Sequence, residues 1–110
     1  MIAIPALDLR EGACVQVAVD SYDKELLRIP DPVGVARAWR QYGFHHLHVV
    51  DLDGVAGRGQ SSAEIRAILA ATDAEVQVGG GIRSQASIDQ MLNDGAQRVV
   101  IGTRALEDPD

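Results

Sequence analysis

Short apolar runs alternate along the chain with longer segments of helical periodicity. Four apolar runs are rich in β-prone residues and are predicted to be strands, near residues 2–7, 46–51, 75–79 and 98–101. Three amphipathic segments between them are predicted to be helices, near residues 32–43, 62–71 and 85–94. This β-α-β-α-β-α-β order predicts an α/β fold, with a parallel sheet and right-handed crossover helices.

A further segment, residues 14–19, alternates apolar and polar side chains like a half-exposed strand. It falls between the first strand and the first helix, so we expect a loop excursion outside the parallel sheet. Asp31 and Pro32 predict the start of the first helix, with Asp as N-cap and Pro at the first helical position. Ser84 precedes the third helix in a similar way.

The composition is that of one small globular domain, which we expect to span residues 1–110. Apolar residues make up 46% of the 110, and the single cysteine, Cys14, excludes an internal disulfide and a cysteine metal cluster. No apolar run approaches the ~20 residues of a membrane helix, and the first residues lack the pattern of a signal peptide. We therefore expect a cytoplasmic protein with no membrane partner.

The charge distribution weighs against nucleic acid as a partner. The net charge is −6 and the ten basic residues are dispersed, with Lys24 as the single lysine, whereas a surface that binds a phosphate backbone needs clustered Lys and Arg. An anionic small ligand would have to be held locally, by backbone N–H groups and one or two arginines.

The ends of the predicted strands carry the candidate chemistry, because ligands of parallel α/β folds collect at the C-terminal strand ends. Asp8 follows the apolar sequence IPAL. Burial at that position would raise its pKa, as a general base requires. The alternative is that Asp8 caps the turn over residues 9–12.

A second pair of carboxylates, Asp51 and Asp53, follows the second main strand and is predicted to share one face of it. Such a pair suits acid/base chemistry or a divalent cation, and loop capping is the alternative. His48 should point to the face opposite Asp51. The spacing of His45, His46 and His48 does not suit a zinc site, so we expect no metal.

Two glycine-containing loops follow the last two strands. The sequence GGGIRS occupies residues 79–84, before a predicted helix, and a Gly-Thr pair follows the next strand. Glycine permits close backbone approach, and a helix N-terminus offers free N–H groups, so the loops predict a phosphate site. The alternative is that tight turns simply need glycine. The candidate phosphate- and substrate-binding residues are Gly80, Gly81, Arg83, Gly102 and Thr103.

Four motifs, IPALDLREG, HLHVVDLDG, VQVGGGIRS and RVVIGTRAL, together resemble the phosphoribosylformimino-AICAR-phosphate isomerases of histidine biosynthesis. The related cyclase of the same pathway usually has Asn-Ser where this chain has Gly-Thr, so the isomerase fits better. The resemblance implies a (βα)8 barrel with two pseudo-symmetric halves. It also implies an Amadori rearrangement, the aldose–ketose isomerisation of an aminated ribose phosphate, without metal or organic cofactor.

The resemblance also implies roles for individual residues. Asp8 matches the family's catalytic Asp on the first strand, and a second catalytic Asp is expected on the fifth strand. Gly80, Gly81, Gly102 and Thr103 match one of two phosphate sites. His48 matches a His that contacts the substrate.

Three departures from the family pattern stand out. The family needs about 240 residues, so this chain corresponds to half of a barrel, with four strands and an incomplete fourth helix. Gln16 replaces an Arg that contacts the substrate, and residues 19–22 read VDSY where the family commonly has QGDY.

Half a barrel leaves the two outer strands unpaired. We therefore expect a homodimer, in which the first strand of each chain pairs with the fourth main strand of the other and closes the barrel. The expected ligand is a phosphorylated ribose-type small molecule. The competing interpretation is a non-catalytic, phosphate-binding half-barrel, whether a fragment, an engineered protein or an evolutionary relic.

Overall fold

The computed structural model describes residues 3–18, 21–56, 62–80, 82 and 84–101. The strands in these residues are β1 (Ala6–Arg10), β2 (Ala13–Ala18), β3 (Ser21–Ile29), β4 (His46–Asp51), β5 (Glu75–Gly79) and β6 (Arg98–Val100). The helices are α1 (Pro32–Gln41), α2 (Leu52–Ala56), α3 (Ser62–Ala71) and α4 (Gln85–Asn93). All six strands belong to one sheet, in the order β3-β2-β1-β4-β5-β6.

Side-chain caps begin two of the helices where the sequence predicts them. The Asp31 carboxylate accepts a hydrogen bond from the Gly34 N–H at 3.0 Å at the start of α1. The Ser84 hydroxyl accepts one from the Ser87 N–H at 3.1 Å at the start of α4. Each cap satisfies an N–H group that has no partner within its helix.

The four main strands, β1, β4, β5 and β6, are parallel neighbours. This arrangement confirms the predicted α/β class and the parallel order of these strands, and it is consistent with part of a (βα)8 barrel. The first strand differs in position: the sequence places it near residues 2–7, and the structure places it at Ala6–Arg10. The predicted start of a fourth helix falls outside the described residues.

The described residues form six strands of this sheet, where the sequence predicts four. Residues 13–18 form β2, which pairs antiparallel with β1 and with β3 in the same sheet, so the expected loop excursion is wrong. The physical reason is a two-residue turn. Glu11 and Gly12 have φ values of 49° and 79°, and two successive positive φ angles make the turn type whose twist suits a hairpin.

One face of the parallel strands forms the core against the helices. Leu7, Leu47, Val49 and Val78 are at most 2% exposed, and they pack with apolar side chains of α1, α3 and α4, namely Ala36, Ile65, Ile68 and Met91. Successive side chains of a strand point to opposite faces, so the residues between these apolar positions lie on the other face. We call that other face of β1, β4, β5 and β6 the open face.

Burial predicts different costs for the same substitution at two positions. We expect Leu47→Ala, at a position with 0% exposure, to lower the free energy of unfolding by about 3 kcal/mol, because it leaves a cavity in the core. Leu27→Ala removes a side chain that is 54% exposed, and we expect it to cost less than about 1 kcal/mol. Urea denaturation of both variants checks the difference, and equal costs would contradict the described packing.

Candidate functional site

Polar side chains line the open face in one row across three strands. Ala6 on β1 lies beside His48 on β4, His48 lies beside Gln77 on β5, and Gln77 lies beside Arg98 on β6. Asp8 follows Ala6 by two residues and therefore lies on the same face, one row nearer the C-terminal strand ends. The register thus brings Asp8, His48 and Gln77 to one patch of the sheet.

Asp8 is half-buried between apolar neighbours. Val15 on β2 and Val50 on β4 are its register partners on either side, and Val15 is buried. Burial raises the pKa of the Asp8 carboxyl, and the nearby charge of His48 acts against this and lowers it. The hairpin that the sequence analysis did not anticipate therefore supplies one of the two apolar walls around Asp8.

The turn after Asp8 is capped from another element. The Asp53 carboxylate, at the start of α2, accepts a hydrogen bond from the Glu11 N–H at 2.9 Å. Asp53 therefore caps this turn at Glu11, which is the role that the alternative interpretation gave to Asp8.

Asp51 and Asp53 do not share a strand face, so that expectation is wrong. Strand β4 ends at Asp51, and Asp53 already belongs to α2. Asp51 is 5% exposed and accepts a hydrogen bond from the Gly54 N–H at 3.0 Å. Both carboxylates serve as caps, and Asp51 lies on the face opposite His48, as the spacing predicts.

His48 is held by a neighbour that the sequence analysis missed. The Gln77 side-chain nitrogen lies 2.9 Å from His48 Nδ1. The sequence does contain a signal for this neighbour, namely the alternation within EVQVG. Gln77 stands between two buried valines, Val76 and Val78, so it must face away from the core.

Gly80 has a structural reason to be glycine. Its φ is +100°, and a Cβ built there would lie 2.6 Å from the Asp51 carbonyl oxygen and 2.8 Å from the Asp51 nitrogen. Backbone atoms cannot move aside as a flexible side chain can. This contact supports the alternative interpretation, that the turn itself needs glycine, and the close approach to a ligand stays a prediction.

The other predicted phosphate ligands, Gly81, Arg83, Gly102 and Thr103, lie outside the described residues. Gln16, which replaces the family's Arg, is on β2 and exposed.

Burial raises the pKa of the Cys14 thiol to about 11, with a further contribution from the charges of Asp8 and Asp31. At neutral pH this thiol is therefore protonated and a poor nucleophile.

A cavity of about 220 Å³ lies on the helix side of the sheet. Its lining includes Asp51, Ile65, Val78, Ile82 and Met91. Because Val78 and Asp51 face away from His48, this cavity does not open onto the patch around Asp8.

Neither a metal cluster nor a membrane span stands out in the described part of the chain. Those residues contain no group of three or more His, Cys, Asp or Glu side chains placed to hold a metal ion. None of their helices has both the length and the apolar character that crossing a bilayer requires.

Comparison with known families decides where the chain belongs. The family described as "Histidine biosynthesis protein" matches residues 2–110. The chain is a member of this family. Its motifs match the N-terminal part of isomerases in that family.

Curated relatives carry the name 1-(5-phosphoribosyl)-5-((5-phosphoribosylamino)methylideneamino) imidazole-4-carboxamide isomerase. The relative from Gemmatimonas aurantiaca is 51% identical over 110 residues, which cover 100% of this chain and 46% of the relative. The relative from Moorella thermoacetica is 49% identical, with the same two coverages. The relative from Myxococcus xanthus is 46% identical over 98% of this chain and 46% of its own length. The chain thus spans just under half the length of these relatives.

The contact at Gly80 predicts a large cost for the smallest side chain. We expect Gly80→Ala to lower the free energy of unfolding by about 2–3 kcal/mol, because a Cβ there meets the Asp51 backbone and the φ is unfavourable. Gly43→Ala is the matched control, since Gly43 has φ +102° but nothing within 4 Å of a built Cβ. The control should cost only about 1 kcal/mol. Equal losses in thermal or urea unfolding would show that the contact with Asp51 does not constrain Gly80.

Proposed function

We propose that this chain supplies one half of a (βα)8-barrel isomerase that converts an aminated ribose phosphate from aldose to ketose. Asp8 is the observation that carries the proposal: a half-buried carboxylate with a raised pKa, one row from His48 on the open face of a parallel sheet. The relatives support the substrate class, since the name that they share contains two phosphoribosyl groups.

The proposed reaction needs only proton transfers. An acid protonates the ring oxygen of the sugar and the ring opens, and a base then removes the proton from C2. The resulting enol tautomerises to the ketose, so no atom is gained or lost. Asp8 is the proposed base at C2, because partial desolvation brings the pKa of a carboxyl closer to neutral pH, where proton transfer is efficient.

The loops after β5 and β6 are the proposed phosphate site. Gly80 directly follows β5, has a positive φ and leads towards the N-terminus of α4, and helix N-termini favour anions. Gly81, Arg83, Gly102 and Thr103 complete the proposed site. Adjacent parallel strands β5 and β6 support it, because their C-terminal ends meet at the same edge of the sheet.

The other half of the barrel comes, in this proposal, from a second copy of the chain or from further chain of a longer protein. In the homodimer, β1 pairs with β6 of the partner, and the second Asp8 takes the place of the acid. The structure adds a constraint: β2 pairs with β1 at Asp8–Arg10, so a closing strand has to pair N-terminal to Asp8. Exposed apolar side chains at both edges support closure, with Ile4 42% and Ile101 50% exposed.

A non-catalytic, phosphate-binding half-barrel is the second candidate. It is favoured by one observation: Asp51 and Asp53 are used as caps. In the described residues near the C-terminal ends of the main strands, Asp8 is then the one carboxylate on the open face, whereas the isomerisation needs both a base and an acid.

The test is turnover of the aminated ribose phosphate by the 110-residue chain and by Asp8→Asn. Asn keeps the shape of Asp and removes the base, so we expect a loss of roughly 10²–10⁴ in rate. Asp89→Asn is the control for the change in charge, because Asp89 lies on the exposed side of α4, hydrogen-bonded to Gln85. Full activity in Asp8→Asn would refute the role of Asp8.

Titration with inorganic phosphate in the same preparation separates the two candidates. Under either candidate the Gly80 amide signal should shift in NMR spectra. A shift without turnover would favour the binding-only half-barrel. Neither turnover nor a shift would overturn both.

A further inference from the structure

We propose that Gln77 is a positioning residue that fixes the tautomer of His48 and so determines what His48 offers to a ligand. The proposal rests on the function proposed above, in which the open face binds the substrate. Its basis is the 2.9 Å separation between the Gln77 side-chain nitrogen and His48 Nδ1. The two residues are register partners on adjacent strands, and both side chains are half-buried.

The direction of this hydrogen bond determines where the ring proton resides. The amide NH2 of Gln77 is a donor, so Nδ1 of a neutral His48 must be the acceptor. The proton of the ring is then on Nε2. In its neutral form, His48 therefore presents an N–H donor from Nε2, which suits a hydroxyl or phosphate oxygen of a sugar phosphate.

Gln77 is an uncharged hydrogen-bond partner, which suits the charges around His48. Asp8 on β1 lies on one side of it, and Arg98 on β6 is the register partner of Gln77 on the other. Lower on the same face, His46 on β4 pairs with Glu75 on β5 at 3.1 Å. A glutamine orients the ring without adding a charge to this group, whereas a carboxylate at position 77 would accept a hydrogen bond from the Nδ1–H and stabilise the imidazolium.

The tautomer can be measured directly by ¹⁵N NMR of the imidazole ring, at a pH where it is neutral. We expect the unmodified chain to carry the proton on Nε2. Gln77→Met, which has a similar length but no donor, should give a mixture of tautomers. Gln77→Glu should move the proton to Nδ1. Gln90→Met is the control, since Gln90 is on α4 and bonds Asp94 instead.

A proton on Nδ1 in the unmodified chain would overturn the proposal, and so would an unchanged tautomer in Gln77→Met. Circular dichroism and urea unfolding verify that each variant is folded. Gln77→Met is expected to fold, because the side chain is half-buried and lies outside the core cluster.

Binding of ribose 5-phosphate then separates this inference from the proposed function. We expect Gln77→Met to weaken binding roughly 3- to 10-fold, the effect of one misoriented hydrogen bond. A changed tautomer with unchanged affinity would refute the positioning role and leave the role of Asp8 standing. The expected tautomer in a chain that binds no ribose 5-phosphate would refute the proposed function and leave the control of the tautomer by Gln77 standing.

Discussion

Burial of one face of the parallel strands against the helices is the interaction on which the rest of the structure depends. Leu47 and Val49 are 0% exposed and Val78 is 1% exposed. Because side chains alternate along a strand, these positions determine that His48 and Gln77 lie on the opposite face. A slip of one residue would exchange the two faces, so the apolar core also specifies the register that assembles the polar row.

The same arrangement makes the charged form of Asp8 unfavourable for the stability of the folded chain. Partial burial raises the pKa of the Asp8 carboxyl in the folded chain above its ordinary value of 3.8. The folded state therefore prefers the protonated form of this group. Its stabilising contribution is fully present below pH 3.8 and is lost as the pH rises through the folded pKa. At neutral pH the charged carboxylate opposes folding.

The alternation of strands and helices could be predicted from the sequence because each element carries a local signal. Asp31-Pro32 and Ser84 start helices through their own side chains, and the apolar runs mark the parallel strands. The hairpin was harder to predict, since it depends on the positive φ values at Glu11 and Gly12. The turn pair is Glu11-Gly12 and lacks the Asn-Gly or Asp-Gly sequence that is the strongest short signal of a hairpin.

The candidate site could be predicted only where its residues carry a local signal of the same kind. Alternation explains why Asp8 and His48 share a face, but Asp8, which was predicted to follow the first strand, lies in the middle of β1. The hydrogen bond between His48 and Gln77 depends on the register of two residues that are 29 positions apart in sequence. The capping role of Asp53 likewise requires α2 to lie beside the Glu11 turn. Such contacts arise from packing, which local patterns do not specify. Gly80 was singled out as a phosphate ligand, which stays a prediction, and its close contact with the Asp51 backbone became visible only in the structure.

The central claim is that Asp8 is a partly desolvated carboxylate that lies within electrostatic reach of His48. A titration of the Asp8 side-chain carbon by ¹³C NMR tests this most directly, in the unmodified chain and in His48→Gln. We expect a pKa above 3.8 in the unmodified chain, and a higher one in the variant, because a nearby positive charge is removed. A pKa at or below 3.8 in the unmodified chain, or no change on removal of His48, would contradict it.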